Sequence, residues 1–217
     1  MEVIYLCDDF IVISKPYGML SERPANGAER ENCPDAIAEY LESQGKKAEV
    51  FTVHRLDATT AGVMVYALTK KAAADLSRQI TEGTFTKTYR AWISADEALP
   101  ESGEMRDRLF FDRRADKAFV VKKDKKGAKE AILTYQLGEA FMWDDNRVTP
   151  VDISLLTGRT HQIRVQFASR KSPLVGDGKY GSRIKRHDAS LWSVSLSFVW
   201  KNKTVRFELD PPVPEQV

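Results

Sequence analysis

Three polar clusters carry the chemistry of this chain, and each is set between apolar runs, where charged side chains are costly unless paired or used. They are His54-Arg55-Leu56-Asp57, Lys87-Thr88-Tyr89-Arg90-Ala91 and Gly158-Arg159-Thr160-His161-Gln162-Ile163-Arg164. Asp57 lies in a loop-like stretch that runs through Thr59, Thr60 and Gly62 into the apolar segment from Val63. A carboxylate on a loop set against a strand can act as a nucleophile or a base, and it can equally cap a turn. In the third cluster Arg164 stands three residues after His161, on a helical face distinct from Ile163 and Phe167. An arginine there can point into a cleft, where it needs an anion: an RNA phosphate or a carboxylate such as Asp57. On the exposed surface it would be an ordinary salt bridge. Tyr89 can be a core ring with its hydroxyl at the rim, or a ring that stacks on an unstacked base and moves a proton.

The elements that must position these groups are mostly strands. Val3–Cys7 and Phe10–Ser14 read as a hairpin joined at Asp8-Asp9. Asp35 to about Gln44 and a segment capped by Thr69 and stopped at Gly83 have helical apolar spacing, and His161–Ala168 is a short helix. Val63–Ala67, Tyr89–Ile93, several short runs between Leu109 and Glu139, Val151–Leu156, Leu191–Trp200 and Thr204–Leu209 favour strands. Strands outnumber helices without alternating regularly with them, so the expected class is α+β with a mixed, largely antiparallel sheet and flanking helices. With 217 residues, 42% of them hydrophobic, a single catalytic domain over 1–217 is expected.

The net charge of +2 hides an uneven distribution. Residues 1–50 hold ten acids and five bases, 106–129 ten bases and four acids, and 159–186 eight bases and one acid. The two basic stretches can line the path of a polyanion; the cluster Lys122, Lys123, Lys125 and Lys126 reads equally as a solvated face. Cys7 and Cys33 are isolated, which points to neither a disulfide scaffold nor a structural zinc site, and no metal site is expected. No signal peptide or membrane-length apolar run is visible, so a soluble cytoplasmic protein without membrane contact is expected. No G-x-G-x-x-G or P-loop pattern for a nucleotide cofactor occurs.

In combination and order, the clusters resemble the motifs of the RluA-type pseudouridine synthases. The stretch from His54 to Gly62 resembles the catalytic motif, Lys87 to Ala91 the second, and Gly158 to Val165 with the later Gly176-Asp177-Gly178-Lys179-Tyr180-Gly181 the third; Ser14-Lys15-Pro16-Tyr17-Gly18-Met19 resembles the family's opening segment. The resemblance implies a pseudouridine-synthase fold, a bent mixed sheet with a central RNA-binding cleft. It also implies isomerisation of specific uridines in structured RNA (rRNA or tRNA), with Asp57 as essential carboxylate, Tyr89 as active-site tyrosine and Arg164 as the arginine that pairs with the aspartate. Arg55 is similar in position to the residue that displaces the target base. His54, Arg55, Lys87, Arg159, Thr160, His161 and Gln162 are the expected RNA contacts. No metal or cofactor, and a monomer, are further expectations. The chain departs from many relatives at Ala61 and Gln166, and its first catalytic strand begins at Val3, so no N-terminal accessory RNA-binding domain is expected. Two competing readings are a non-catalytic RNA-binding module, against which Asp57, Tyr89 and Arg164 occur together, and a two-carboxylate glycoside hydrolase, for which Asp57 lacks an acidic partner in a comparable motif.

Overall fold

The computed structural model describes residues 1–25, 27–94, 99–122, 125–143, 145–186 and 189–211. In chain order its elements are β1 (Glu2–Leu6), β2 (Phe10–Lys15), α1 (Cys33–Ser43), β3 (Phe51–Thr52), β4 (Ala61–Ala67), α2 (Lys70–Glu82), β5 (Thr86–Ile93), β6 (Ser102–Asp112), β7 (Lys117–Val120), β8 (Lys129–Leu137), β9 (Phe141–Trp143), β10 (Asn146–Leu155), α3 (Gln162–Ala168), β11 (Leu191–Trp200) and β12 (Lys203–Glu208). Where the sequence suggests one domain, backbone packing divides the chain into two units, Met1–Lys87 with Trp192–Pro211, and Thr88–Leu191.

In the first unit β1 and β2 form the expected antiparallel hairpin, and β2 pairs antiparallel with β4. The other edge of β4 is shared, its start running parallel to β11 and its end pairing antiparallel with β3. All seven residues of β4 are buried, as an uninterrupted Ala-Gly-Val-Met-Val-Tyr-Ala run requires when both faces and both edges are covered. Gly62 is essential to that crowding. Its φ is +112°, and a Cβ there would lie 2.2 Å from the Ser193 carbonyl oxygen. Thr69 caps α2 by accepting from the Ala72 N–H, and Gly83 ends it in the left-handed conformation, both as the sequence indicates. Ala72 and Leu76 of α2 join Phe10, Val12, Val63, Val65, Phe85, Leu196 and Phe198 in the core.

In the second unit β5, β10, β8, β6 and β7 follow one another in an all-antiparallel sheet, with β9 a hairpin partner of β10. β6 begins at Ser102, ahead of the expected strands, and β9 and the two-residue β3 are too short to carry a periodic signal. The parallel pairing of β4 with β11, beside the antiparallel ladders of β1, β2, β3, β12 and of the second unit, makes the class α+β with a mixed sheet, as expected. Among the described residues no helix is long and apolar enough to cross a membrane.

Candidate active site

Asp57 belongs to the first unit, Tyr89 and Arg164 to the second. Asp57 is half-buried in the loop between β3 and β4, and neighbouring segments fix the backbone on both sides of it. Before it, Ser21 Oγ donates to the Leu56 carbonyl at 2.7 Å and accepts from the Leu56 N–H at 3.0 Å, while the Tyr66 hydroxyl donates to the carbonyl of Ser21 at 2.9 Å. After it, the Ala58 carbonyl accepts from the Gly18 N–H at 2.8 Å and from Lys15 Nζ at 3.4 Å. The turn itself closes through the Thr60 N–H onto the Asp57 carbonyl at 3.0 Å. A carboxylate whose flanking peptides are held this way sacrifices little positional freedom when it reacts.

Lys15 is a fully buried lysine, with Nζ also donating to the carbonyls of Pro16 at 2.9 Å and Met19 at 2.8 Å. Burial pulls its pKa down to about 8, and the charges of Cys33 and Asp57 oppose that shift. The lysine therefore stands close enough to Asp57 to feel its charge. Nothing in the sequence assigns a role to Lys15 beyond membership of a motif, and Ser21 lies in none of the motifs.

His54 is buried in the core rather than presented to solvent. Its Nε2 accepts from the Val65 N–H at 3.2 Å and its ring lies 5.3 Å from that of Phe85. Burial, then the nearby Lys87, holds its pKa well below the usual histidine range, so it is neutral with the proton on Nδ1. Burial also lowers the pKa of Lys87. Arg55 is exposed, and its guanidinium lies 2.6 Å from the Glu22 carboxylate.

In the second unit Tyr89 is a buried residue inside β5, paired in register with Ile153, rather than at the end of a strand. Its neighbour Arg90 makes a two-pronged contact with Asp152 across the ladder, at 2.7 and 3.0 Å. Helix α3 departs from the amphipathic expectation, since Gln162 through Phe167 are all buried and no face is left to solvent. Arg164 is correspondingly no surface residue. Its Nε and Nη2 bind the two carboxylate oxygens of Asp177 at 2.6 and 2.8 Å, with side chains 5% and 1% exposed. Its guanidinium carbon is also 5.0 Å from the ring centre of Tyr180.

Tyr180 organises this region. Its hydroxyl accepts from the Ala118 N–H at 2.7 Å and shares a 2.9 Å hydrogen bond with His161 Nδ1. His161 itself is the residue before α3, at φ 55°, with its ring edge-on to Phe111. Gln162 is consumed internally: its oxygen accepts from Thr157 Oγ1 at 2.9 Å and the Arg159 N–H at 3.0 Å, and its amide donates to the Ile132 carbonyl at 3.0 Å. Of the expected RNA contacts, then, Arg55, Arg159 and Thr160 are exposed and Lys87 is half-buried, whereas His54, His161 and Gln162 are buried and hold the loop and α3 in place. Lys122, Lys125 and Lys126 are exposed; Lys123 lies outside the described residues. Among the described residues no group of three or more His, Cys, Asp or Glu is gathered as metal ligands would be.

Comparison with known proteins converges on one family. The model of RNA pseudouridylate synthases matches residues 9–169. The chain is 34% identical over 203 residues to the dual-specificity RNA pseudouridine synthase RluA of Yersinia pestis, covering 88% of this chain and 91% of that protein. It is 32% identical over 232 residues to the ribosomal large subunit pseudouridine synthase D of Neisseria meningitidis serogroup B, covering all of this chain and 59% of that one. Its fold is similar to the solved structure of human RNA pseudouridylate synthase domain containing 1, with a TM-score of 0.79 at 23% identity over 100% of this chain and 86% of that one. The motifs around Asp57, Tyr89 and Arg164, the strands and helices that carry them and these similarities together place the chain in the RluA-type family of RNA pseudouridine synthases.

Proposed function

We propose that this RNA pseudouridine synthase isomerises specific uridines in structured ribosomal or transfer RNA with Asp57 as its essential carboxylate. The observation that supports the assignment to Asp57 is the two-sided backbone clamp on its loop, by Ser21 at Leu56 and by Gly18 and Lys15 at Ala58. Isomerisation breaks the bond between ribose C1′ and uracil N1, turns the base, joins C1′ to C5 and releases the C5 proton, with no net redox change. Whether the carboxylate attacks as a nucleophile or removes a ribose proton, it must be anionic. The uridine must leave the stack to be reached, and exposed Arg55 fills the vacancy. Tyr89 supplies a ring for the flipped base. Arg164, held in one orientation by Asp177 through Nε and Nη2, offers the rest of its guanidinium to an anion. Arg159, Thr160 and Lys87 contribute polar and phosphate contacts, with His54, His161 and Gln162 acting from behind them.

In this reading residues 1–217 act as one catalytic domain, monomeric, in the reducing cytoplasm, with neither metal nor cofactor. The test is tritium release from RNA carrying 5-tritiated uridine, taken from cells that lack the protein, with chelator present. Release above background supports the assignment; background release from every RNA fraction leaves a binding module instead.

A further inference from the structure

The basic stretch within 106–129 is more than a charged surface, because the hairpin of β6 and β7 also displays aromatic rings. Its register sets Leu109 against Val120, Phe110 against Phe119, Phe111 against Ala118 and Asp112 against Lys117. Leu109, Phe111 and Ala118 belong to the core cluster around Val165 and Tyr180, so the alternate pair, Phe110 and Phe119, occupies the opposite face. Phe119 is 41% exposed. Lys125 Nζ is 4.0 Å from the centre of Phe110, and Lys117 Nζ lies between two rings, 5.1 Å from the centre of Tyr180 and 6.0 Å from that of Phe119.

The described carboxylates of this stretch are engaged away from Lys117, Lys122, Lys125 and Lys126. Asp107 is bound by Arg170, Asp112 accepts from the Arg114 and Ala115 N–H groups at the turn, and Asp116 is bound by Lys179. Among the described residues Arg113, Lys117, Lys122, Lys125 and Lys126 make no ion pair with a carboxylate. We infer that the outer face of the β6–β7 hairpin is a stacking platform for an unpaired nucleotide of the substrate RNA, with Phe119 receiving the base and Lys117 and Lys125 meeting the adjoining phosphates. The inference rests on the reading of this chain as an RNA-modifying enzyme and adds to it a place and a mode of contact. An exposed ring beside unneutralised cations suits a ligand that is both flat and polyanionic. A second copy of the same edge would bring its own excess of positive charge, and the bases of a duplex are already stacked and cannot present a face to Phe119.

The experiment compares Phe119→Ala, Phe119→Leu and Phe119→Trp with the parent, after thermal melts establish that each is folded. Binding is measured on a single-stranded oligouridylate and on an RNA duplex of equal phosphate count. Phe119→Ala and Phe119→Leu should lose about tenfold or more in affinity for the single strand, and Phe119→Trp should stay within about threefold of the parent. Duplex binding and the salt dependence of all four proteins should be alike, since no charge has changed. The inference is overturned if Phe119→Leu binds as the parent does, if single-strand and duplex affinities fall together, or if sedimentation shows a parent dimer that Phe119→Ala dissolves. Tritium release by the parent separates the two levels: an inert parent removes the enzymatic reading, whereas an active parent whose Phe119 variants bind normally removes the platform alone.

Discussion

Arg164 and Asp177 form a two-pronged ion pair inside the second unit, with both side chains almost fully withdrawn from solvent. The pair ties a buried helix to the turn at Gly178–Tyr180 and fixes the guanidinium of a residue to which the proposed function gives an active-site role. A buried pair of this kind contributes less to net stability than it costs to break, because a lone charge left behind has no solvent to return to.

Asp177→Ala should therefore destabilise the protein by about 3–5 kcal/mol and lower its Tm accordingly, although Asp177 carries no proposed chemical step. Arg164→Met should be comparably damaging. Combining Arg164→Met with Asp177→Leu replaces both charges with apolar groups and should recover much of the lost stability while leaving tritium release at the level of the single arginine variant. Calorimetric melts and turnover on the same samples check this; a double variant that regains turnover with stability would make Arg164 a purely structural residue.

The Lys15 prediction concerns pH. Its pKa is about 8 in the folded protein against an ordinary 10.5, so between those values the unfolded chain binds the proton and the folded one does not. Stability from this group rises with pH across that window as the cost of burying the ammonium disappears. Turnover should move the other way, since loss of the cation weakens the hold on the Ala58 carbonyl and so on the Asp57 loop. Lys15→Met should lack the rise in stability that the parent shows as pH climbs above about 8, read as the difference between the two denaturation profiles. Parallel profiles would place the lysine's titration outside this window.

The extent to which this molecule can be read from its sequence differs between its parts. The β1–β2 hairpin, the Thr69 cap and the Gly83 stop are local signals, fixed by residues next to one another, and all are found as expected. Tertiary contacts are not legible in this way. The periodicity of α3 suggests a face for Arg164 distinct from Ile163 and Phe167, yet the helix is buried all round. Its polar side chains are accommodated by partners distant in sequence: Asp177 for Arg164, Thr157 and Ile132 for Gln162, Met105 and Asp107 for Gln166. Lys15 and Asp177 both lie in segments that the motif comparison marks, but a motif gives membership without the contact that explains it. His54 shows the same limit, since a histidine in a catalytic string is also a convenient neutral acceptor for a strand N–H.

That role for His54 has its own test. A histidine kept neutral by burial binds a proton more readily in the unfolded chain, so below its ordinary pKa of 6.5 the folded state loses stability as pH falls. His54→Gln keeps an acceptor for the Val65 N–H and removes the titration. The parent should lose more stability than the variant between about pH 6.5 and about pH 5, before most carboxylates contribute, as urea unfolding at fixed pH will show. Equal losses would mean that the ring reaches solvent and charges in the folded protein.

Asp57 is the place where chemistry and binding must come apart. Asn has nearly the same shape as Asp but cannot serve as an anionic nucleophile or base, so Asp57→Asn should lower single-turnover tritium release by several orders of magnitude. The Leu56 and Ala58 peptides on either side are held through backbone groups, which the substitution does not touch, so the loop should keep its position and the melting temperature should change little. RNA affinity should be retained or slightly increased, because most binding energy comes from phosphate and base contacts and one negative charge has left the site. Filter binding and turnover on the same RNA decide the matter. A folded Asp57→Asn protein that turns over within about tenfold of the parent has lost only about 1.4 kcal/mol of transition-state stabilisation, too little for the removal of the group that performs the reaction.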